Sequence, residues 1–211
     1  MLISFKKLSL VILSVLVLGF AVSASADTLS LISVNGQTDP TGQVYISPYY
    51  GNLNGSVVNL YCVDPNHESS LNSSWSVNKT QLTSGMLTNN TYLGQNGLNQ
   101  YKEMAYLSFY YHGSATAQLI QAAVWYIVNP NSPLATPYTS AIQDLLTSIF
   151  GSSSGINWQN PDYYSNIYIL SDITGVNQEF MARVPEPNTL LLLGSGLIGL
   201  WVLRRKFRVK G

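Results

Sequence analysis

The residue that most needs a chemical explanation is Cys62, the one cysteine among 211 residues. In an exported chain, a lone cysteine is a buried small hydrophobic residue, a free thiol or half of an intermolecular disulfide. A fourth possibility is a thioester, in which the thiolate attacks a glutamine carboxamide and ammonia leaves. This bond stores an acyl electrophile, and it needs a glutamine held rigidly against the cysteine with water excluded.

A suitable glutamine lies in the apolar segment 120–125, which reads IQAAVW. Gln121 stands there among apolar neighbours, where a buried polar side chain requires a partner. Gln121 is therefore a candidate partner for a thioester with Cys62. Gln118 is a rival amide, because it lies one helical turn earlier on a similar face.

Four residues near this pair receive further interpretations. Tyr61 and Trp125 are predicted to pack around the bond and keep water out, although plain core packing also explains them. Asp64 either orients groups near Cys62 or is a solvated carboxylate at a strand end. His67 either accepts the thiol proton or lies exposed in a turn.

The strands that must carry Cys62 follow from the alternation of apolar residues. Strands are predicted over 28–34, 43–47 and 56–64, and the Asn54-Gly55 pair marks a hairpin turn. Val58 and Leu60 alternate onto the same face as Cys62. Residues 70–98 are polar and rich in turn formers, so we expect loops and short strands there.

Helical spacing of apolar residues begins at residue 100. We predict helices over 100–111, from an N-cap at Ser114 to about residue 127, and from Pro137 to a stop at Gly151. Segments 167–170 and 178–182 are predicted as closing strands. Strands, a helical block and further strands make an α+β pattern.

Two short motifs resemble those of the thioester domains of bacterial surface adhesins. Segment 61–64, YCVD, matches an aromatic-Cys-aliphatic-acidic motif, and segment 120–125 matches an aliphatic-Gln-x-x-aliphatic-Trp motif. The resemblance implies that Cys62 and Gln121 are the thioester pair, and that β-sandwich-like strands accompany a helical part. It also implies covalent capture of a partner nucleophile, often a lysine amine, in a single-use reaction without enzymatic turnover. A hydroxyl is the other expected nucleophile.

The amino-terminal residues 1–26 are predicted to be a secretory signal peptide. Lys6 and Lys7 precede an apolar stretch over 8–22, and Ala24-Ser25-Ala26 fits the small-residue cleavage rule. Residues 27–183 would then form the exported domain.

Residues 184–211 are predicted to be a sorting tail. Pro185, Glu186 and Pro187 precede an apolar run over 189–203, which would span roughly 22 Å as a helix, and then a cluster of arginines and lysines. This order resembles the PEP-CTERM sorting tail of Gram-negative bacteria. The resemblance implies a single transmembrane sorting helix, an integral-membrane exosortase as partner, and a location at the cell surface or in a biofilm matrix.

Composition excludes several other functions. Charged residues make up 9% of the chain, and between Asp27 and Arg183 nine acidic residues face three basic ones, which excludes a nucleic-acid binder. One cysteine excludes a cysteine-cluster metal site, no calcium-loop spacing is present, and we expect no cofactor. The rival function is a non-covalent matrix-binding or exopolysaccharide-binding surface protein with an inert Cys62.

Overall fold

The computed structural model describes residues 26–39, 42, 44–83, 87, 91–184 and 194–197. It contains six strands: β1 (Asp27–Val34), β2 (Tyr49–Leu53), β3 (Ser56–Cys62), β4 (Ser74–Gln81), β5 (Ile167–Asp172) and β6 (Phe180–Arg183). Three α-helices lie between β4 and β5: α1 (Leu98–Phe109), α2 (Ala117–Val128) and α3 (Thr139–Phe150). Short 3₁₀ helices occur at Gln95–Gly97, Thr136–Tyr138 and Pro161–Tyr164.

The six strands form a closed antiparallel barrel in the order β1-β2-β3-β6-β5-β4. The predicted α+β class is therefore confirmed, but the expected β-sandwich-like arrangement is replaced by a barrel. Closure depends on pairing between strands far apart in sequence, such as β3 with β6, where Leu60 lies opposite Ala182. The helical block leaves the barrel after β4 and returns at β5, its neighbour in the barrel.

The hairpin between β2 and β3 shows why this sequence folds locally as it does. Asn54 and Gly55 have φ angles of 51° and 89°, the left-handed values that a tight hairpin turn requires. In β2, a Cβ at Gly51 would lie 2.5 Å from Cδ1 of Leu60 and 3.0 Å from the carbonyl oxygen of Ser30. Gly51 therefore lets β1, β2 and β3 approach closely.

Two hydrophobic cores share strands β5 and β6. The barrel core fills the barrel, and its largest side chains include Leu29, Leu60, Trp75 and Phe180. The helical core lies between the helices and the outer face of these strands, and it includes Tyr101, Met104, Ile142, Ile169 and Met181. Alternate residues of β5 and β6 thus point into different cores, so both faces of these strands are buried.

Several predicted elements differ from the structure. Of the strand predicted over 43–47, the described residues 44–47 form only one isolated bridge, between Tyr45 and Thr38, so this strand prediction is wrong. Helix α2 is capped by Thr116 rather than Ser114, since the Thr116 side chain accepts a hydrogen bond from the Leu119 amide. Strands β2 and β4 were not predicted individually. The third α-helix stops at Gly151, as predicted, but Pro137 lies in the 3₁₀ helix that precedes it and not in its first turn.

Both chain ends fall largely beyond what the structure describes. The predicted signal peptide, apart from Ala26, and the motif residues Pro185, Glu186 and Pro187 lie outside the described residues. Within the described part of the chain, no helix is both long enough and apolar enough to cross a membrane. The predicted sorting helix over 189–203 is described only at 194–197.

Candidate functional site

Cys62 is the last residue of β3, and its side chain is completely buried in the barrel core. Its backbone N–H donates a hydrogen bond to Oγ of Ser47 at 2.9 Å. Its thiol donates to the carbonyl oxygen of Asp64 at 3.3 Å. The cysteine is therefore fixed through both its backbone and its side chain.

Gln121 lies in the second turn of α2 and reaches the same point, with 3% of its surface exposed. Its Nε2 donates to the carbonyl oxygen of Cys62 at 2.9 Å. Its Oε1 accepts a hydrogen bond from the backbone N–H of Ser47 at 3.1 Å. Both ends of the carboxamide are thus held, which accounts for a polar side chain in this apolar helix.

The structure brings the two predicted residues together across 59 positions of sequence. Gln118, the rival amide, is half-buried and makes no hydrogen bond with Cys62 in the described part of the chain.

Ser47 is a site residue that sequence reasoning did not find. Its hydroxyl contacts Cys62 and its amide contacts Gln121, at separations of 15 and 74 residues. No spacing rule reveals partners at such distances. Ser47 was also predicted to lie in a strand, whereas it lies outside the strands and contacts both residues.

The environment of the sulfur disfavours a free thiolate. Burial raises the pKa of the Cys62 thiol to about 12, and the backbone of Asp64 and the indole of Trp125 partly oppose this rise. Trp125 lies one turn after Gln121 and is 1% exposed. Its indole N–H makes no hydrogen bond of ordinary geometry with a described residue, but it lies close enough to the sulfur to lower its pKa.

Tyr61 points away from the sulfur, toward the helical side. Its ring packs edge-on against Phe109 of α1 with 4.6 Å between centroids. Tyr61 is half-buried, so it forms part of the surface around the site. Tyr61 and Trp125 therefore lie on different sides of the Cys62 backbone.

A pair of buried carboxylates lies beside the site. Asp64 is 2% exposed and accepts a hydrogen bond from the Asn66 amide, and its Oδ2 lies 2.6 Å from Nδ1 of His67. The interpretation of Asp64 as a solvated carboxylate is wrong, while the His67 side chain is 39% exposed. Both Asp64 and Glu179 oppose ionisation of Cys62 through their charge.

Glu179 is the second carboxylate, and no sequence motif marked it. It is 3% exposed and accepts hydrogen bonds from Ser171 Oγ at 2.5 Å, from the Tyr92 amide at 2.9 Å and from the Tyr101 hydroxyl. Burial raises its pKa, and the three hydrogen bonds oppose this effect.

Two neighbouring surface cavities lead toward the site. The amide cleft, about 170 Å³, is lined by Ser47, Pro48, Tyr61, Leu107, Ser108, Tyr111, Ala117, Ile120, Gln121 and Val124. The arginine cleft, about 390 Å³, is lined by Val57, Val58, Asn59, Tyr61, Ser108, Phe109 and Arg183. Tyr61 and Ser108 belong to both, so the two clefts share a wall.

A further cavity of about 310 Å³ reaches Tyr49, Trp125 and His67, but neither Cys62 nor Gln121 lines it. The amide cleft is therefore the described opening onto the carboxamide. Within the residues that the structure describes, no group of three or more His, Cys, Asp or Glu side chains could hold a metal ion.

Comparisons with known proteins identify the tail. Residues 183–206 match the family model of the PEP-CTERM protein-sorting motif. This motif implies an exported and sorted surface protein that an exosortase processes. The comparison with curated proteins gave no match.

The comparison with solved structures found a similar domain. It is the N-terminal thioester domain of a surface protein from Clostridium perfringens, with 12% sequence identity and a TM-score of 0.43. The similarity covers 76% of this chain and 99% of that domain.

Proposed function

We propose that this chain is a surface protein whose Cys62 and Gln121 condense to an internal thioester that captures a nucleophile on a partner surface. The observation that carries the proposal is the double anchoring of the Gln121 carboxamide. One of its hydrogen bonds goes to the carbonyl of Cys62 itself, and the other comes from Ser47. The carboxamide is thereby held beside the backbone of the lone cysteine, which is the placement that acyl transfer to the Cys62 sulfur needs.

Formation of the bond would proceed as an acyl transfer. The Cys62 sulfur attacks the carboxamide carbon of Gln121, and the C–N bond to Nε2 breaks. The thiol proton goes to the leaving nitrogen, which departs as ammonia, so the product is a thioester plus one ammonia. The raised pKa of Cys62 makes a free thiolate costly, so we expect proton transfer to accompany attack.

Ser47 is placed to assist both formation and opening of the thioester. Attack at the carboxamide carbon puts negative charge on Oε1. The Ser47 N–H lies 3.1 Å from this oxygen, so it acts as a preorganised oxyanion donor with no reorganisation at the moment of reaction. The same donor serves again when an incoming nucleophile attacks the thioester.

Capture would then be a single event. An amine attacks the acyl carbon, the C–S bond breaks, and the sulfur takes a proton as the amide to Gln121 forms. A hydroxyl would give an ester in the same way. Cys62 is completely buried and Gln121 nearly so, which limits contact of the bond with water, and the amide cleft is the side from which a nucleophile would reach the carboxamide carbon. Because the acyl group is consumed, the protein acts as a covalent adhesin and not as an enzyme.

The sorting motif supports a location where such capture is useful. We propose that the domain acts at the surface or in the extracellular matrix of a Gram-negative bacterium, in adhesion or biofilm attachment. Its sorting helix would tether it to the membrane before exosortase processing.

Intact mass measurement tests the thioester. The purified chain is expected to be lighter than its sequence mass by one ammonia, and to gain one methylamine on incubation with that amine. Cys62→Ala and Gln121→Ala should each show the full sequence mass. Gln118→Ala is the matched control, because it removes the rival amide one turn away, and it should still lose ammonia. Full sequence mass and a titratable thiol in the wild-type chain would refute the proposal.

The rival function has one structural observation in its favour. Half-buried aromatic rings cluster beside the helices, with Tyr110 and Tyr163 4.7 Å apart and Phe150 and Trp158 5.2 Å apart. Aromatic ring faces stack against the C–H faces of sugars. A chain with a free Cys62 would therefore be examined next as a non-covalent exopolysaccharide-binding module.

A further inference from the structure

Arg183, the last residue of β6, is an exposed cation without an acidic partner in the described part of the chain. The two ion pairs found there are His67–Asp64 and Lys79–Asp27. The Arg183 guanidinium instead lies over the rings of Tyr110 and Phe109, 4.8 and 5.5 Å from their centroids. Such stacking occupies the face of a guanidinium and leaves its N–H edge open to a carboxylate.

The guanidinium is preorganised for such a contact. The backbone of Arg183 pairs with Ile167 of β5, so it projects from the barrel wall rather than from a loop. Two aromatic rings limit the rotation of its side chain. Little conformational entropy is then lost when an acceptor binds, which favours binding by this group over binding by a free surface arginine.

The position of Arg183 connects this cation to the proposed thioester. Arg183 lines the arginine cleft, which shares Tyr61 and Ser108 with the amide cleft. Among the described residues that line the two clefts, Arg183 is the one with a formal charge. The two clefts therefore offer an uncharged, partly aromatic surface with a cation at one end and the Gln121 carboxamide at the other.

We propose that Arg183 binds a carboxylate of a polypeptide partner and so positions a lysine of the same segment at the amide cleft. The inference rests on the proposed function, and it adds a docking residue and a partner class to it. We infer a carboxylate on the partner from the positive charge of Arg183, because a bidentate arginine–carboxylate contact is both strong and directional.

The lining of the amide cleft favours an amine over a sugar hydroxyl. Serine and tyrosine hydroxyls line it, but no histidine or carboxylate does. A hydroxyl needs a general base to become a good nucleophile, whereas a neutral amine does not. An amine and a carboxylate on one flexible segment are characteristic of an acidic, lysine-containing peptide.

The docking step can be measured without any covalent chemistry. The probes are fluorescent nonapeptides with a central norleucine in place of lysine and a glutamate two, three or four residues away. Each has a glutamine counterpart. We expect the best glutamate peptide to bind the full-length chain roughly tenfold more tightly than its counterpart, and Arg183→Gln to abolish that difference. Equal binding of both peptides, or an unchanged difference in Arg183→Gln, would overturn the proposal.

Two controls separate docking from other effects. Lys79→Gln removes another cation, one already paired with Asp27, and should leave the peptide preference unchanged. An oligouronate tests the alternative partner class. If it binds in an Arg183-dependent way while no glutamate peptide does, the polypeptide assignment is wrong.

Covalent capture distinguishes failure of docking from failure of the thioester. With lysine restored in the peptide, Arg183→Gln should slow capture roughly tenfold, while methylamine incorporation stays at the wild-type rate. No methylamine incorporation by the wild type would defeat the proposed function, and the binding assay would still decide the role of Arg183.

Discussion

The burial of Cys62 determines how its thiol should react. Because burial raises the thiol pKa to about 12, very little thiolate exists near neutral pH, and the thiolate is the reactive form. After methylamine treatment the wild-type chain has a free Cys62 whether or not it began as a thioester. We predict that its reaction with a disulfide reagent at about pH 8 is roughly a thousandfold slower in the folded chain than in urea.

The pH dependence of this reaction has a defined sign. The rate in the folded chain should rise about tenfold for each pH unit, as long as the pH stays below the thiol pKa. A folded-state rate close to that in urea would show that the sulfur is accessible and ionised, and would contradict the buried site described above.

Among individual residues, sequence analysis found those whose type is rare in this chain or unusual in its surroundings. It missed those whose type is common and whose role depends on contacts with residues distant in sequence. Cys62 is unique in the chain, and Gln121 is conspicuous in an apolar helix, so both could be found. Ser47 is one serine among many, and it matters because its amide and hydroxyl meet two distant residues. Glu179 is likewise marked only by its buried partners.

Helix α2 is the element that presents Gln121 and Trp125, and its amino-terminal cap is open to a direct test. Thr116 accepts a hydrogen bond from the Leu119 amide at 3.3 Å. We predict that Thr116→Ala lowers the free energy of unfolding by about 1 kcal/mol, because one amide at the helix start loses its acceptor. Urea denaturation measures this change.

Ser114→Ala is the matched control for the cap. Sequence reasoning placed the cap at Ser114, but this exposed residue lies before the helix. Its substitution should change stability by less than about 0.5 kcal/mol. A larger loss from Ser114→Ala than from Thr116→Ala would show that the helix begins earlier than described.

Element prediction succeeded where the apolar pattern was periodic. Strand β3 alternates as expected, with Val58, Leu60 and Cys62 buried. Strand β2 carries Gly51, which sequence propensity counts against a strand, although the barrel needs that glycine beside Leu60. In β2, tertiary packing outweighed the low strand propensity of glycine, which explains why this strand was not predicted.

Glu179 links the barrel to the helical layer and should affect the stability of the whole molecule. It accepts hydrogen bonds from Ser171 of β5 and from Tyr101 of α1. Its pKa is raised in the folded state, so the native chain keeps a proton that the unfolded chain loses above about pH 4.3. Its contribution to stability is therefore present at lower pH and is lost as the pH rises through the folded-state pKa.

Glu179→Gln should make the free energy of unfolding depend less on pH in this range. We predict that the wild type loses more free energy of unfolding between about pH 4.5 and pH 7 than the variant does. Hydrogen bonds from Thr174 and Asn177 lower the pKa of Asp172. Its effect on the pH dependence of the free energy of unfolding is therefore the same in the wild type and in the variant. Parallel profiles would show that Glu179 does not titrate differently in the two states.

For the molecule as a whole, the sequence predicted the α+β fold class but not the closure of the six strands into a barrel. Periodicity reveals which residues face inward, but it does not reveal which strands are neighbours. Pairing of β1 with β4 and of β3 with β6 closes the barrel, and these contacts join segments far apart in the chain.

The sorting tail was predictable because its Pro-Glu-Pro motif, its apolar run and its basic end follow one another directly in the sequence. The family match at 183–206 confirms the sorting motif.

A proteolytic map of the purified chain tests the Cys62–Gln121 thioester most directly. Lys79 and Lys102 lie between Cys62 and Gln121, so trypsin separates these two residues into different fragments. In a digest at mildly acidic pH, we predict one joined species, lighter by one ammonia than the two fragments together, with the linkage at Gln121. Cys62→Ala should give separate fragments. Separate fragments from the wild type, with a free thiol and an intact carboxamide, would contradict the proposed Cys62–Gln121 thioester, as would a linkage at Gln118.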